Sequence, residues 1–268
     1  METFAAVLAG VGGLCFGSFL GVVVHRVPRK ESIVQPRSRC PSCGHELSAA
    51  DNIPVVSWLL LGGKCRYCKA RVPARYPAGE ALTAVVWILA VLRRDQLIPV
   101  GADSAAGESW QLMAFLPFLW VLVALSLIDL EHKILPNRIV YPSIIAGIPL
   151  LAVVAATGPG LEPWLRALAG MVAGAGGFLV VALISPAGMG MGDVKLAGLI
   201  GLFTGYLGWG RLVVAFFASF AVGAVVGIVL MIAGKAGRKT AIPFGPFMAL
   251  GAIFSTLLGE AVLDAWRL

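Results

Sequence analysis

Charge is the scarcest ingredient of this 268-residue chain: Asp, Glu, Lys and Arg supply 13% of it while 59% is hydrophobic, against about 25% charged in an ordinary soluble domain. A single soluble domain is excluded. Histidine is also scarce, at three residues, so chemistry at neutral pH has to come chiefly from carboxylates and cysteines. No strand precedes the one glycine-rich stretch, and its spacing is not the Gly-x-Gly-x-x-Gly of dinucleotide loops. Internal repeats are lacking too.

The charges that are present are unevenly placed. The 21 basic and 14 acidic residues give a net +7, yet ten of the 21 Lys and Arg lie between Arg26 and Arg75. That clustering beside an apolar run reads as a membrane-orientation signal, and no nucleic-acid partner is expected. Uncharged runs long enough to cross ~30 Å of hydrocarbon recur along the chain. The clear ones are 3–24, 110–128, 139–161, 167–192, 212–234 and 240–259, with two weaker ones at 81–92, extending back toward Tyr76, and 196–210. The expected fold is all-α, a polytopic integral membrane protein of about eight transmembrane helices with a small cytosolic zinc-binding loop module. Its expected parts are a first transmembrane helix (1–24), a cytosolic loop (25–75) and a multi-helix membrane core (76–268).

Lys and Arg in short loops resist translocation. Placing the N-terminus outside and the Arg26–Arg75 loop inside puts sixteen of the 21 basic residues on the inner side. Arg93, Arg94, Arg166, Arg211 and Arg267 fall outside. Because its basic flank follows it and Glu2 precedes it, the first run reads as a retained anchor.

Within the basic loop, Cys40-Pro-Ser-Cys43 is followed by Cys65-Arg-Tyr-Cys68. Two CxxC hairpins can close a tetrahedral thiolate site around zinc, and the metal supplies folding energy that so small a loop cannot draw from a core. Two disulfides or a redox pair are the rival readings, disfavoured in a reducing cytosol and without a βαβ pattern. Four sulfurs leave no open position, so the expected metal at Cys40, Cys43, Cys65 and Cys68 is structural. His45 could replace a thiolate but reads first as an exposed loop imidazole. Cys15, in the first apolar run, reads as a small buried hydrophobe.

Three carboxylates, Glu80, Asp129 and Asp193, adjoin or interrupt apolar segments. An ionisable group at membrane depth costs ~2.5–3.5 kcal/mol on insertion scales, which makes each one a functional candidate, or else the mark of a helix end among headgroups. Asp129 closes an apolar run just before Leu135-Pro136-Asn137, and Asp193 follows Gly188-Met-Gly190-Met-Gly192. The charge rule places both at the inner boundary. The glycines let another chain approach closely, while Asp193 itself can cap a helix. Two aspartates brought together in a partly dry site share a proton, which suits them to activate water and protonate a leaving amine without a catalytic metal or covalent nucleophile.

This ordered set resembles the bacterial type IV prepilin peptidases, among the GxGD intramembrane aspartic proteases. The residues carrying the resemblance are Phe16–Leu20, His25–Pro28, the four cysteines, Asn52-Ile53-Pro54 with Ser57-Trp58, Arg75-Tyr76-Pro77 with Glu80, Asp129 with Leu135-Pro136-Asn137, Gly190–Lys195 and Pro243–Pro246. The resemblance implies that Asp129 and Asp193 are the catalytic pair, cutting the basic leader of a prepilin or type II secretion pseudopilin at the cytoplasmic face of the bacterial inner membrane. It also implies S-adenosylmethionine-dependent N-methylation of the new N-terminus, associated with the cysteine loop. Relatives often carry Asn where this chain has Gly21. Gly190, Gly192, Glu80 and Glu131 are candidate substrate contacts, and the small residues of 169–177 suit either substrate docking or packing within the bundle. Competing readings are a proton-coupled transporter using Asp129 and Asp193 as a relay, and a noncatalytic adaptor working through its zinc module.

Overall fold

A computed structural model describes residues 2–99, 108–157, 160–185, 188–235, 237 and 242–266. Arg238, Lys239 and Arg267, used above in the charge count, lie outside the described residues. The described residues hold no strand, only the isolated bridges Arg39–Glu46 and Lys64–Arg71. The helices are α1 (Glu2–Arg26), α2 (Val56–Leu60), α3 (Arg75–Leu92), α4 (Glu108–His132), α5 (Asn137–Ala156), α6 (Leu161–Ile184), α7 (Met191–Leu207), α8 (Trp209–Ile232) and α9 (Gly245–Trp266). Seven of them are long and apolar enough to cross a membrane. The eighth apolar helix, α7, has 17 residues and is buried throughout from Leu196 to Leu207. The weak run at 81–92 is the last two thirds of α3, which starts at Arg75.

The chain divides into two compact units, 1–92 and 93–268. In the first, α1 packs on α3 along a stripe of glycines at 10, 13, 17 and 21. A Cβ on Gly13 would stand 2.6 Å from the Ala84 Cα, and one on Gly17 2.5 Å from the Glu80 Cα. The two backbones therefore touch, which suits helices in lipid, where close van der Waals contact replaces hydrophobic driving force. Gly21 lies against the Tyr76 ring, with a Cβ there 3.0 Å from Cδ1. Cys15 falls on the opposite side of α1 and is exposed, not buried as the sequence suggested. Its helix is buried only on the glycine face.

The second unit is built around α4 and α7. Ala114 to Leu125 of α4 include eight fully or nearly fully buried apolar residues, and Phe118 stacks on Phe203 of α7 at 4.1 Å. Helices α6 and α7 meet backbone to backbone: Gly170 and Gly174 face Gly201, Gly205 and Ala197. Those two glycines of the 169–177 stretch thus pack within the bundle. Arg166 closes the far end of α7, donating to the Gly205 and Tyr206 carbonyls at 3.1 and 3.0 Å, where cations favour the helix C-terminus. A single residue, Gly208, joins α7 to α8 at φ 155° and ψ 157°, a conformation essentially reserved to glycine.

Candidate active site and metal site

Each aspartate is positioned by local rules. Helix α4 ends just past Asp129 because Pro136 bars the α conformation at Leu135, and Lys133 turns the chain at φ 53°. Pro136 then serves as the N-cap of α5. Asp193 is the third residue of α7; its Oδ2 accepts from the Gly190 N–H at 3.2 Å, and its own N–H donates to the Gly190 carbonyl at 3.1 Å. The sequence reading of Asp193 as a helix cap holds.

Asp129 is 5% exposed and its Oδ2 accepts the Gly245 N–H at 3.0 Å. Gly245 is the first residue of α9, so Asp129 caps that helix across 116 residues of chain. A Cβ on Gly245 would stand 2.7 Å from Asp129 Oδ2 and 3.3 Å from Leu135 Cδ2, while one on Gly192 would meet the Leu135 Cβ at 3.1 Å. Leu135 is thus wedged between the glycine motif ahead of Asp193 and the Pro-Phe-Gly-Pro start of α9. The two carboxyls lie within electrostatic reach of each other. At one end of this unit, then, two carboxylates each spend Oδ2 on a helix N-terminal N–H, and neither Oδ1 bonds another described residue. Lys195 adds a tie between the two segments, donating to Asn137 Oδ1 at 3.0 Å and lying 5.3 Å from the Tyr141 ring centre.

Spacing does not point to Gly245: residues 243–246 stand out only through the family resemblance, since nothing local to them points at a carboxylate. Gly190 donates to Asp193, and Gly192 faces Leu135. Glu131 follows Asp129 at the exposed end of α4, with His132 Nε2 at 3.9 Å from its Oε2. Glu80 belongs to the other unit, where its Oε2 accepts the Val55 N–H at 2.6 Å.

The four cysteines form a compact cluster. All four Sγ atoms lie within 4.8 Å of one another, and Cys40 and Cys68 are 3.8 Å apart. A tetrahedron with Zn–S of ~2.3 Å has S···S edges of about 3.8 Å. Each CxxC is the tip of a tight hairpin: Cys40 N–H donates to His45 and Cys65 N–H to Ala70, at 2.9 and 2.8 Å. The Cys43 backbone N–H pulls the Cys40 thiol down to about 6, whereas the Ala70 N–H at Cys68 is outweighed by burial and the three neighbouring thiols, which push the Cys68 thiol up to about 11. His45 stands outside the cluster, its ring against Tyr67. Arg66 pairs with Asp51 at 2.6 Å and holds that carboxyl below its usual range, bracing one hairpin on the Ala49–Asn52 turn.

Two family models match the chain: the bacterial peptidase A24 N-terminal domain over residues 11–94 and the type IV leader peptidase family over residues 116–228. A Bacillus subtilis relative named prepilin leader peptidase/N-methyltransferase is 34% identical over 252 residues, covering 94% of each chain. The chain belongs to the type IV leader peptidase family. A Pseudomonas aeruginosa member of the same name is 34% identical across 93% of this chain and 89% of its own. A Myxococcus xanthus member, also so named, is 40% identical across 88% of this chain, which spans 66% of that longer protein. No solved structure matches significantly. In this family member, the N-terminal model coincides closely with the first compact unit and the second model takes in both aspartates but stops short of α9.

Proposed function

We propose that the chain is a prepilin leader peptidase that cuts prepilins or type II secretion pseudopilins, with Asp129 and Asp193 as its catalytic pair. The carrying observation is the convergence of the two carboxyls at one end of the second unit, each fixed by a helix N-terminus. One carboxylate takes a proton from water as its oxygen bonds the scissile carbonyl carbon. The other, protonated, donates to the carbonyl oxygen, and collapse of the tetrahedral adduct expels the amine with a proton delivered to its nitrogen. The C–N bond breaks, a C–O bond forms, and both aspartates are regenerated. Backbone N–H groups at Oδ2 orient the carboxyls, leaving Oδ1 to the water and substrate. The family membership and the terminal placement of the aspartates give the transporter reading no support, since a relay has no need of both at a bundle end.

The charge asymmetry of the loops supports an orientation with the cysteine loop and the aspartates on the cytoplasmic side. The relatives' shared name supports a second activity, methylation of the new N-terminus. There the amine lone pair takes a methyl from S-adenosylmethionine as a co-substrate, the S–CH3 bond breaks, and the ammonium proton goes to solvent. Purified protein incubated with a candidate prepilin and S-adenosylmethionine should yield a product lighter by its leader and heavier by one methyl. An intact substrate by mass spectrometry would refute the peptidase reading, and a cut but unmethylated product the second activity alone.

The sulfur spacing supports a structural zinc held by Cys40, Cys43, Cys65 and Cys68. Cys40→Ser should lower bound zinc from one equivalent and raise amide hydrogen exchange over residues 38–72, because the hairpins have little else to hold them. Unchanged metal content by elemental analysis would rule out the four-sulfur site.

A further inference from the structure

The polar loop between α1 and α3 exposes Ile33, Val34 and Tyr67 and, within one short stretch, a denser apolar cluster. Ile53, Val56, Leu59 and Leu60 are 49, 46, 63 and 82% exposed. The opposite side of the same turn is the one that packs: Ser57 is buried, and Trp58 covers Gly63 and donates its indole N–H to the Val72 carbonyl at 3.0 Å. Helix α2 therefore holds the loop together with its polar and aromatic face and turns its leucines outward. An exposed cluster of this kind marks a surface that something apolar covers.

Its position says what. The Val55 N–H, one residue before α2, donates to Glu80 at 2.6 Å. Glu80 lies five residues into α3, a membrane-spanning helix that begins at Arg75, and so about 7–8 Å along it. Val55 has φ 59° and ψ −48° with the Val56 N–H on the Pro54 carbonyl, a γ-turn geometry that is rare and strained, so the chain accepts strain to place α2 there. The residue before α2 is thereby tied to the first turns of a helix long and apolar enough to span a membrane. On the hairpin that Trp58 covers, Lys64, Lys69 and Arg71 are exposed. Lys64 and Arg71 face each other across the isolated bridge, a pairing of like charges that repels unless an anion lies over it.

We propose that α2 is an interfacial seat: Ile53, Val56, Leu59 and Leu60 enter the boundary between headgroups and acyl chains of the bilayer, with Lys64, Lys69 and Arg71 on anionic headgroups. The seat holds the cysteine loop against the membrane, and it is independent of the catalytic assignment. It combines the two elements of interfacial anchoring, a small apolar insertion and a basic patch.

The test places a photoreactive benzophenone amino acid at Leu60 in the full chain, in nanodiscs of phosphatidylcholine with or without phosphatidylglycerol, and identifies the adducts by mass spectrometry. Position 60 tolerates the probe because it is exposed. Lipid adducts should dominate at 60 and be scarce from the same probe at Glu46, an exposed loop residue. Lys64→Glu should lower the yield at 60 by about fivefold in phosphatidylglycerol discs and leave it unchanged without that lipid. If that variant loses its metal, Lys69→Glu gives the same reading. Adducts at 60 chiefly to other residues of this chain, equal lipid yields at 60 and 46, or indifference to phosphatidylglycerol would overturn the proposal.

Discussion

Asp129→Asn and Asp193→Asn should each lower leader cleavage by roughly 10²–10⁴-fold, about 3–5 kcal/mol of barrier, because an amide neither takes nor donates the proton that moves in the reaction. The substitution keeps size and shape. It also keeps the cap, since the Asn side-chain oxygen can still accept from Gly245 or Gly190. Thermal unfolding should therefore change little, and a variant that cleaves normally while folding normally would remove that aspartate from the catalytic role. The double variant should be hardly worse than either single one, because the two carboxyls act as a unit. Gly245→Ala should give a partial version of the same loss. Its new Cβ would stand 2.7 Å from Asp129 Oδ2, so the carboxyl must shift, and displacements near 1 Å can cost about 10²-fold.

Arg211→Met should produce the largest loss of stability, about 3–5 kcal/mol, by stripping a buried polar network of the guanidinium that its members share. Arg211 is 1% exposed at the start of α8. Its Nη1 donates to the Ser255 carbonyl at 2.6 Å, its Nη2 to the Gln96 carbonyl and Oε1 at 3.0 and 3.2 Å, and its Nε to Glu260 at 3.2 Å. Ser255 Oγ donates back to the Arg211 carbonyl at 2.6 Å. The guanidinium thus ties the Arg94–Leu97 turn, α8 and α9 together. Arg211→Lys should restore little, since one ammonium cannot span acceptors arranged around a planar fork. Unfolding followed by tryptophan fluorescence in detergent would report the loss; an unaltered midpoint would show the network to be dispensable. Glu260 lies 15 residues along α9 from Gly245, about 22 Å, so the folded fraction of Arg211→Met should cleave with near-normal KM and kcat.

These two results rest on different kinds of legibility. Asp129 stands out in the sequence because a carboxylate ending an apolar run is costly, and Asp193 because glycines break the helical pattern ahead of it. Arg211 shows no such mark: at an expected loop between two apolar runs it counts as one more outer basic residue, and its burial depends on Gln96, Ser255 and Glu260, distant along the chain. Cys15 errs the other way. Its apolar context is real, but which side of α1 is packed is decided by the glycines that admit α3. The 81–92 run looks too short because Tyr76, Pro77 and Glu80 interrupt its hydropathy without interrupting its helix. Boundaries elsewhere shift by several residues, since apolar character continues through the turns, as at Leu161, where one helix seems to end and the next in fact begins.

Composition, run length and local spacing were enough to determine a multi-helix membrane protein, a four-cysteine cluster and two boundary aspartates, because each follows from the solvent around a short segment or from ligands a few residues apart. The tertiary structure decided that Asp129 caps α9 through Gly245, that Leu135 fits between two glycines, that Val55 is pinned by Glu80 and that α2 turns its leucines outward. Those depend on side chains brought together across 25 to 116 positions, and only close packing of whole helices selects which distant groups meet.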